Sequence, residues 1–280
     1  MTLAPSELIL NKDGSVYHLH LLPGDISDTI ITVGDVNRVD QVSHHFDKIL
    51  LTKQNREFKT VTGELNGHLI SVISTGIGTD NIDIVFNEID ALFNIDLKTR
   101  LVKSKQKKLT FIRIGTSGAI SSIVPLDSFI LSVYAMGLDG LLNFYDSEKI
   151  RVEGLEKLLD IQLAVYAVKA NETLIDQFDE FAMPGITITA NGFYGPQFRS
   201  LRLKPAFDFF TALENKKFKD LSFTNLEMET AGIYGLSALL GHKAISLNAI
   251  LANRKTGEFS VQPQKTIDLL IKKTLELLCH

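Results

Sequence analysis

Leu69-Ile70-Ser71-Val72-Ile73-Ser74-Thr75-Gly76-Ile77-Gly78 is a β-branched run that ends in a turn holding two glycines. Beyond it Ile82, Val85, Phe86, Ile89, Leu92 and Phe93 recur at helical spacing, the apolar face of an amphipathic helix. A strand passed through a glycine turn into such a helix is the unit of an α/β layer fold. Working outward, Asn66-Gly67 splits Thr60–Ser74 into two strands of a hairpin, because that dipeptide accepts the positive φ a type I′ turn requires. Thr29–Val33 is a buried strand ending at Gly34, followed by a helix with Val36, Val39 and Val42 on one side. Leu109–Ile114 is another buried strand, closed by Gly115, and Asp127–Val133 and Gly185–Ala190 are further strands. Long helices are expected within Glu153–Phe178 and over Leu226–Leu240, a last strand over Lys243–Leu251, and a C-terminal helix facing inward with Ile267, Leu270, Ile271, Leu275 and Leu278. No repeat, low-complexity tract or Pro/Gly/Ser linker interrupts the chain, so residues 1–280 read as a single domain.

Composition narrows the function classes. Hydrophobic residues at 45% and charged residues at 22% describe an ordinary globular protein, and a net charge of −4 offers no basic field for a polyanion. The one basic stretch, Lys98–Lys108, reads as a solvated loop or insertion rather than a nucleic-acid grip. Cys279 is the only cysteine, which excludes an internal disulfide and fits a reducing compartment. The N-terminus lacks the pattern of a secretory signal, and no apolar run is long enough to span a bilayer. A cytoplasmic location is the expectation.

Chemistry concentrates where strands end. Val33-Gly34-Asp35, Ser74-Thr75-Gly76, Ile114-Gly115-Thr116-Ser117-Gly118 and Thr189-Ala190-Asn191-Gly192 allow backbone N–H groups to approach an anion, although strand-end glycines also serve merely to turn the chain. Arg113 lies inside the apolar strand Phe111-Ile112-Arg113-Ile114 and cannot lose its charge, so it needs a bound anion or a structural carboxylate. Arg38 and Arg56 also follow strands closely. Phe193-Tyr194-Gly195-Pro196-Gln197-Phe198-Arg199 combines aromatic faces, an amide and a guanidinium, which suit a flat ligand bearing carbonyls and an N–H. A packed Gly-Pro turn is the plainer reading. Glu227 and Glu229 open an apolar run with no acid, Lys or Arg from Thr230 to His242, so either the helix dipole or a hydroxyl-rich ligand must satisfy them. His18, His20, His44 and His45 lack partners at zinc-ligand spacing, and no G-x-S-x-G elbow occurs.

Taken in order, Val16-Tyr17-His18-Leu19, Val33-Gly34-Asp35 with Arg38, Asn55-Arg56-Glu57-Phe58, Ser74-Thr75-Gly76-Ile77-Gly78, Arg113 through Gly118, Phe193 through Arg199, Glu227-Met228-Glu229 and Ala252-Asn253-Arg254 resemble the nucleoside phosphorylase superfamily, most closely its uridine phosphorylases. The resemblance implies a three-layer α/β/α fold with a central mixed, partly barrel-like sheet flanked by helices. It assigns Gly34, Arg38, Arg113 and Thr116 to phosphate, with Arg56 reaching in from a neighbouring subunit. It assigns His18, Met228 and Glu229 to the ribose, and Phe193, Gln197, Arg199 and Arg254 to the base, with Gln197, Arg199 and Glu229 carrying the catalysis. It implies phosphorolysis of uridine, or of a 2′-deoxyuridine or thymidine relative, with inorganic phosphate as co-substrate and no other cofactor or metal. The assembly implied is a homodimer with shared sites, or a hexamer built from such dimers.

Leu22-Pro23-Gly24-Asp25 resembles the family's phosphate loop too, but only the copy at Gly34-Asp35 has an arginine, Arg38, at the right distance. Purine enzymes of the same family present an aspartate after the last core strand to protonate the leaving base. Asn253 stands there in this chain, and an amide cannot deliver that proton. A purine phosphorylase, a nucleosidase and a catalytically silent nucleoside-binding homologue are the alternatives.

Overall fold

A computed structural model describes residues 2–158, 163–207, 209–213 and 215–279. The N-terminal part runs β1 (Thr29–Val33), α1 (Val36–Ser43), β2 (Lys48–Asn55), β3 (Phe58–Leu65), β4 (His68–Ser74) and α2 (Thr79–Asn94). Asn66 and Gly67 both take positive φ, 49° and 78°, in the tight turn between β3 and β4. The middle contains a two-residue ribbon, β5 (Ile95–Asp96) with β6 (Leu101–Val102), then β7 (Thr110–Ala119), β8 (Phe129–Gly137), β9 (Tyr166–Lys169), α3 (Glu172–Phe178) and β10 (Met183–Thr189). The C-terminal part adds α4 (Phe209–Leu213), β11 (Lys217–Phe218), β12 (Leu221–Glu227), α5 (Thr230–Leu240), β13 (Lys243–Asn253), β14 (Glu258–Phe259) and α6 (Pro263–Leu278).

Strand pairing explains why the sheet is only partly a barrel. β7 pairs with β13, β13 with β8, β8 with β10 and β10 with β12, and a short antiparallel contact of β12 with β7 closes the circuit. From β7 the sheet continues outward as an open wing through β1, β4, β3 and β2. Closure removes the edges of five strands, whereas the wing keeps one. α2 and α5 pack against each other, and α5 also covers β8, β10 and β13. Phe86 of α2 stacks on Phe111 of β7 at 4.2 Å, both fully buried.

Several boundaries differ from those read along the chain. Gly115 does not close its strand: β7 runs on to Ala119 because β13 pairs with it as far as Asn253. The helix expected from Leu226 starts at Thr230, since Leu226 and Glu227 are still paired with β10. No long helix occupies Glu153–Phe178 among its described residues; β9 and the short α3 stand there, and residues 159–162 lie outside the description. β2 carried no clear signal because most of its residues are exposed on both faces of an edge strand. The basic segment is exposed and bends back on α2, where Lys103 Nζ donates to the Phe93 carbonyl.

Candidate active site

The acidic pair sits at the junction of β12 and α5, and its two members do different work. Glu227, the last residue of β12, accepts from the backbone N–H groups of Glu229 and Thr230 and from the Thr189 hydroxyl. It thereby satisfies donors that the start of α5 leaves unpaired. Glu229 turns the other way. Its Oε1 accepts from the Gly78 N–H at 2.8 Å, and its Oε2 meets Arg113 Nη2 at 2.6 Å. Gly78 can present that N–H because it adopts φ 95° and ψ 161°, a region essentially confined to glycine.

Arg113 finds the structural carboxylates. Its Nη2 also lies 3.1 Å from Glu227, and its Nη1 donates to Asn248 Oδ1 at 2.7 Å. The guanidinium folds over its own strand at Gly115, where a Cβ would sit 1.7 Å from Nη1, so no side chain is possible there. Burial opposes the Arg113 charge, but Glu227 and Glu229 outweigh it and hold the pKa above the usual value. Burial pushes the Glu229 carboxyl upward, against the pull of Arg113.

Arg113, Glu227 and Glu229 line a cleft of about 500 Å³. It is also lined by Gly34, Asp35, Arg38 and Thr116, by Phe193, Gln197 and Arg199, by Leu251, Ala252 and Phe259, and by Met228. Asp35 caps α1 by accepting from the Asn37 N–H, so the Gly34 loop leads straight into a helix N-terminus. Arg38 packs beside Arg113, and burial and that like charge lower its pKa.

The aromatic loop is built as a clamp. Arg199 stacks on Phe193, with its Cζ 3.7 Å from the ring centroid, and donates to the Phe193 carbonyl and to Gln197 Oε1, both at 2.6 Å. Burial and the nearby Arg254 push its pKa down to about 10. Gln197 is almost fully buried on a 3-10 turn, whereas Phe193 is half exposed at the mouth. Arg254 does not line the cleft: it donates to the carbonyls of Gln197 and Phe198 from behind, holding the loop that presents the clamp. Asn253 also turns away. Its Nδ2 donates to the carbonyls of Ser121 and Val124, and its Oδ1 accepts from the Lys255 and Thr256 N–H groups.

His18 and Arg56 are not brought to this cleft within one chain. They form a separate cluster in which Arg56 lies over the Tyr17 ring and the His18 carbonyl accepts from Asn55. Glu88 of α2, not singled out along the sequence, orients that cluster: it accepts from the backbone of His18 and Leu19 and meets His18 Nδ1 at 2.6 Å. Little in the sequence marks it, since α2 also carries Asp80, Asp83 and Asp90, and only the fold shows that Glu88 is the buried one. Asn248 was missed in the same way, a polar residue inside the apolar strand β13. Among the described residues no group of three or more His, Cys, Asp or Glu is placed to hold a metal, and no helix is long and apolar enough to cross a membrane.

Residues 28–280 match the family model described as the phosphorylase superfamily. A uridine phosphorylase from Thermococcus kodakarensis is 30% identical over 269 residues, covering 96% of this chain and 88% of that protein. A DeoD-type purine nucleoside phosphorylase from Myxococcus xanthus is 27% identical over 266 residues, covering 93% and 95%. The crystal structure of a Trypanosoma brucei nucleoside phosphorylase, described as showing uridine phosphorylase activity, superposes with a TM-score of 0.87 at 27% identity, covering 97% of this chain and 99% of that one.

Proposed function

This chain belongs to the phosphorylase superfamily, and from that premise we propose that it cleaves uridine with inorganic phosphate, releasing uracil and ribose 1-phosphate. The observation that carries this reading is the Gln197–Arg199 clamp on the cleft wall. Gln197 and Arg199 line the cleft as one clamp with Phe193, while the lining carboxylates are engaged elsewhere, Glu227 and Glu229 with Arg113 and Asp35 with the start of α1. A purine leaving group calls for a proton at its imidazole ring. A departing uracil instead carries its charge on carbonyl oxygens and ring nitrogen, which a guanidinium and an amide stabilise without proton transfer.

In this mechanism Arg38, Arg113, Thr116 and the Gly34 backbone hold phosphate beneath C1′. A phosphate oxygen bonds to C1′ as the C1′–N1 bond breaks and its electron pair goes to the base. Glu229 accepts from the ribose hydroxyls, which offsets the cost of its burial beyond what Arg113 and Gly78 supply. Phosphate is the co-substrate, and the scheme draws on no further cofactor or metal.

The reading includes a homodimer in the cytoplasm, built from single-domain chains. Two observations support the dimer. Arg38, Arg113 and Arg199 are matched in number by the three lining carboxylates, so one chain brings no surplus cation for a phosphate dianion. Arg56 and His18, on their own cluster away from the cleft, are free to serve the cleft of a second copy.

The test is a phosphate-dependence assay over uridine, thymidine, 2′-deoxyuridine, cytidine and inosine. Uracil release that requires phosphate supports the reading. Preferential cleavage of inosine would establish a purine enzyme, release without phosphate a nucleosidase, and no turnover a silent homologue.

A further inference from the structure

The closed circuit of strands contains a ring of buried polar side chains. Arg113 on β7 donates to Asn248 Oδ1 on β13 at 2.7 Å. Asn248 Nδ2 donates to Ser132 Oγ on β8 at 3.2 Å, and Ser132 meets Thr187 Oγ1 on β10 at 2.5 Å. Thr187 donates to Asn225 Oδ1 on β12 at 2.9 Å, and Asn225 Nδ2 donates to Ser117 Oγ at 2.9 Å, back on β7. The ring starts and ends on β7 and visits each of the other four barrel strands once, and its four middle members are fully buried.

The ring has a direction. A guanidinium can only donate, so Asn248 must turn its oxygen to Arg113 and its nitrogen to Ser132. Ser132 then sends its own proton to Thr187, which sends its proton to Asn225 Oδ1. Thr224 Oγ1 also donates to that oxygen, which agrees with the amide orientation. Reversing the Asn225 amide would return the Thr187 proton to Ser132 and strand the Ser132 proton, which has no other acceptor among the described residues. At the end of the ring Ser117 Oγ accepts, and its own proton has no acceptor among the described residues. Ser117 lines the cleft. It lies four residues beyond Arg113, about 13 Å along the strand, and its neighbour Gly118 pairs with Ala252, which lines the cleft two residues before the Arg254 that braces the Gln197 loop.

We propose that Ser117 is a further catalytic residue, whose hydroxyl donates a hydrogen bond to a carbonyl oxygen of the departing base, fixed in that sense by the one-way ring through Asn248, Ser132, Thr187 and Asn225. The proton stays on Ser117, and the bond strengthens as negative charge gathers on the base. Asn225 is the positioning residue, since its N–H occupies the lone pair that would otherwise let Ser117 rotate. The inference rests on the uridine phosphorolysis reading.

Steady-state kinetics on the full-length protein test it. Ser117→Ala should lower kcat for uridine by about a hundredfold, with the phosphate KM within about twofold and a lower melting temperature, since Asn225 Nδ2 loses its acceptor. 5-Fluorouridine, whose base is a better leaving group, should lose clearly less. Ser117→Thr should restore most of the rate. Asn225→Leu should lower kcat in the wild-type background and add no further loss in the Ser117→Ala background. A Ser117→Ala variant with the wild-type kcat, or losses from the two sites that simply add, would overturn the inference while leaving the activity standing. Absence of uridine cleavage by the wild-type protein would instead overturn the activity, and this inference with it.

Discussion

Single side chains here do work that their residue type alone leaves undecided. Arg113 could have answered a bound anion or a carboxylate, and it answers Glu227, Glu229 and Asn248 at once. Breaking such a buried pair from one side leaves an uncompensated charge, at a cost of about 3–5 kcal/mol. Arg199 is different, because it is partly exposed and is held by stacking and by two acceptors in its own loop. Arg199→Ala should therefore leave the fold intact, lower kcat for uridine by about a hundredfold and change the phosphate KM by less than about twofold. Unchanged turnover in that variant would remove Arg199 from the leaving-group site. The clamp was legible along the chain as Gln197 and Arg199 two residues apart, but Arg254 was legible only as a nearby cation. Its role of bracing the loop from behind depends on where β13 ends.

Elements are anchored by polar contacts as much as by apolar faces. The N-terminus of α6 is tied to the start of β8 through Asp127, which accepts from the hydroxyls of Ser260 at 2.5 Å and Thr266 at 2.6 Å. Those hydroxyl donors hold the Asp127 carboxyl below its ordinary value of 3.8. A depressed carboxyl pKa stabilises the fold above the unfolded-state value, and that contribution is lost as the pH falls through the lowered value. Asp127→Asn suits the positive φ of 61° at this position while removing the charge. The variant should be less stable by about 0.5–1 kcal/mol at pH 7, discounted for solvent exposure. Urea titrations should show the gap to wild type closing below pH 4, and a gap independent of pH would refute the account. At this scale the periodic helices α2 and α6 and the β3–β4 hairpin were readable, because each carries its pattern locally. The ends of β7 and β12 were not, since a strand stops where its partners stop.

The whole molecule joins an open wing to a small closed barrel, and the cleft opens over the barrel strands β7, β12 and β13. His18 and Arg56 stay outside the cleft of their own chain, which makes the dimer testable by complementation. Glu229→Gln and Arg56→Ala homodimers should each be poorly active. Mixed after reversible dissociation, they should recover about a quarter of the wild-type rate, because half of the dimers are hybrids and each hybrid has one intact site. No recovery, with exchange verified by mass, would place Arg56 in its own chain's chemistry or in none. By itself the sequence determined the α/β class and the order of the strand-end motifs, and it showed which polar and charged residues interrupt apolar runs, because periodicity and short motifs are local properties of the chain. The tertiary structure alone decided that Glu227 serves the helix while Glu229 faces the cleft, that Asn253 and Arg254 turn away from it, and that five strands close a directed ring ending at Ser117. Those outcomes depend on strand register and barrel closure, which bring together residues more than a hundred positions apart, 135 in the Arg113–Asn248 contact and 151 in the Gly78–Glu229 contact, and which no local pattern records.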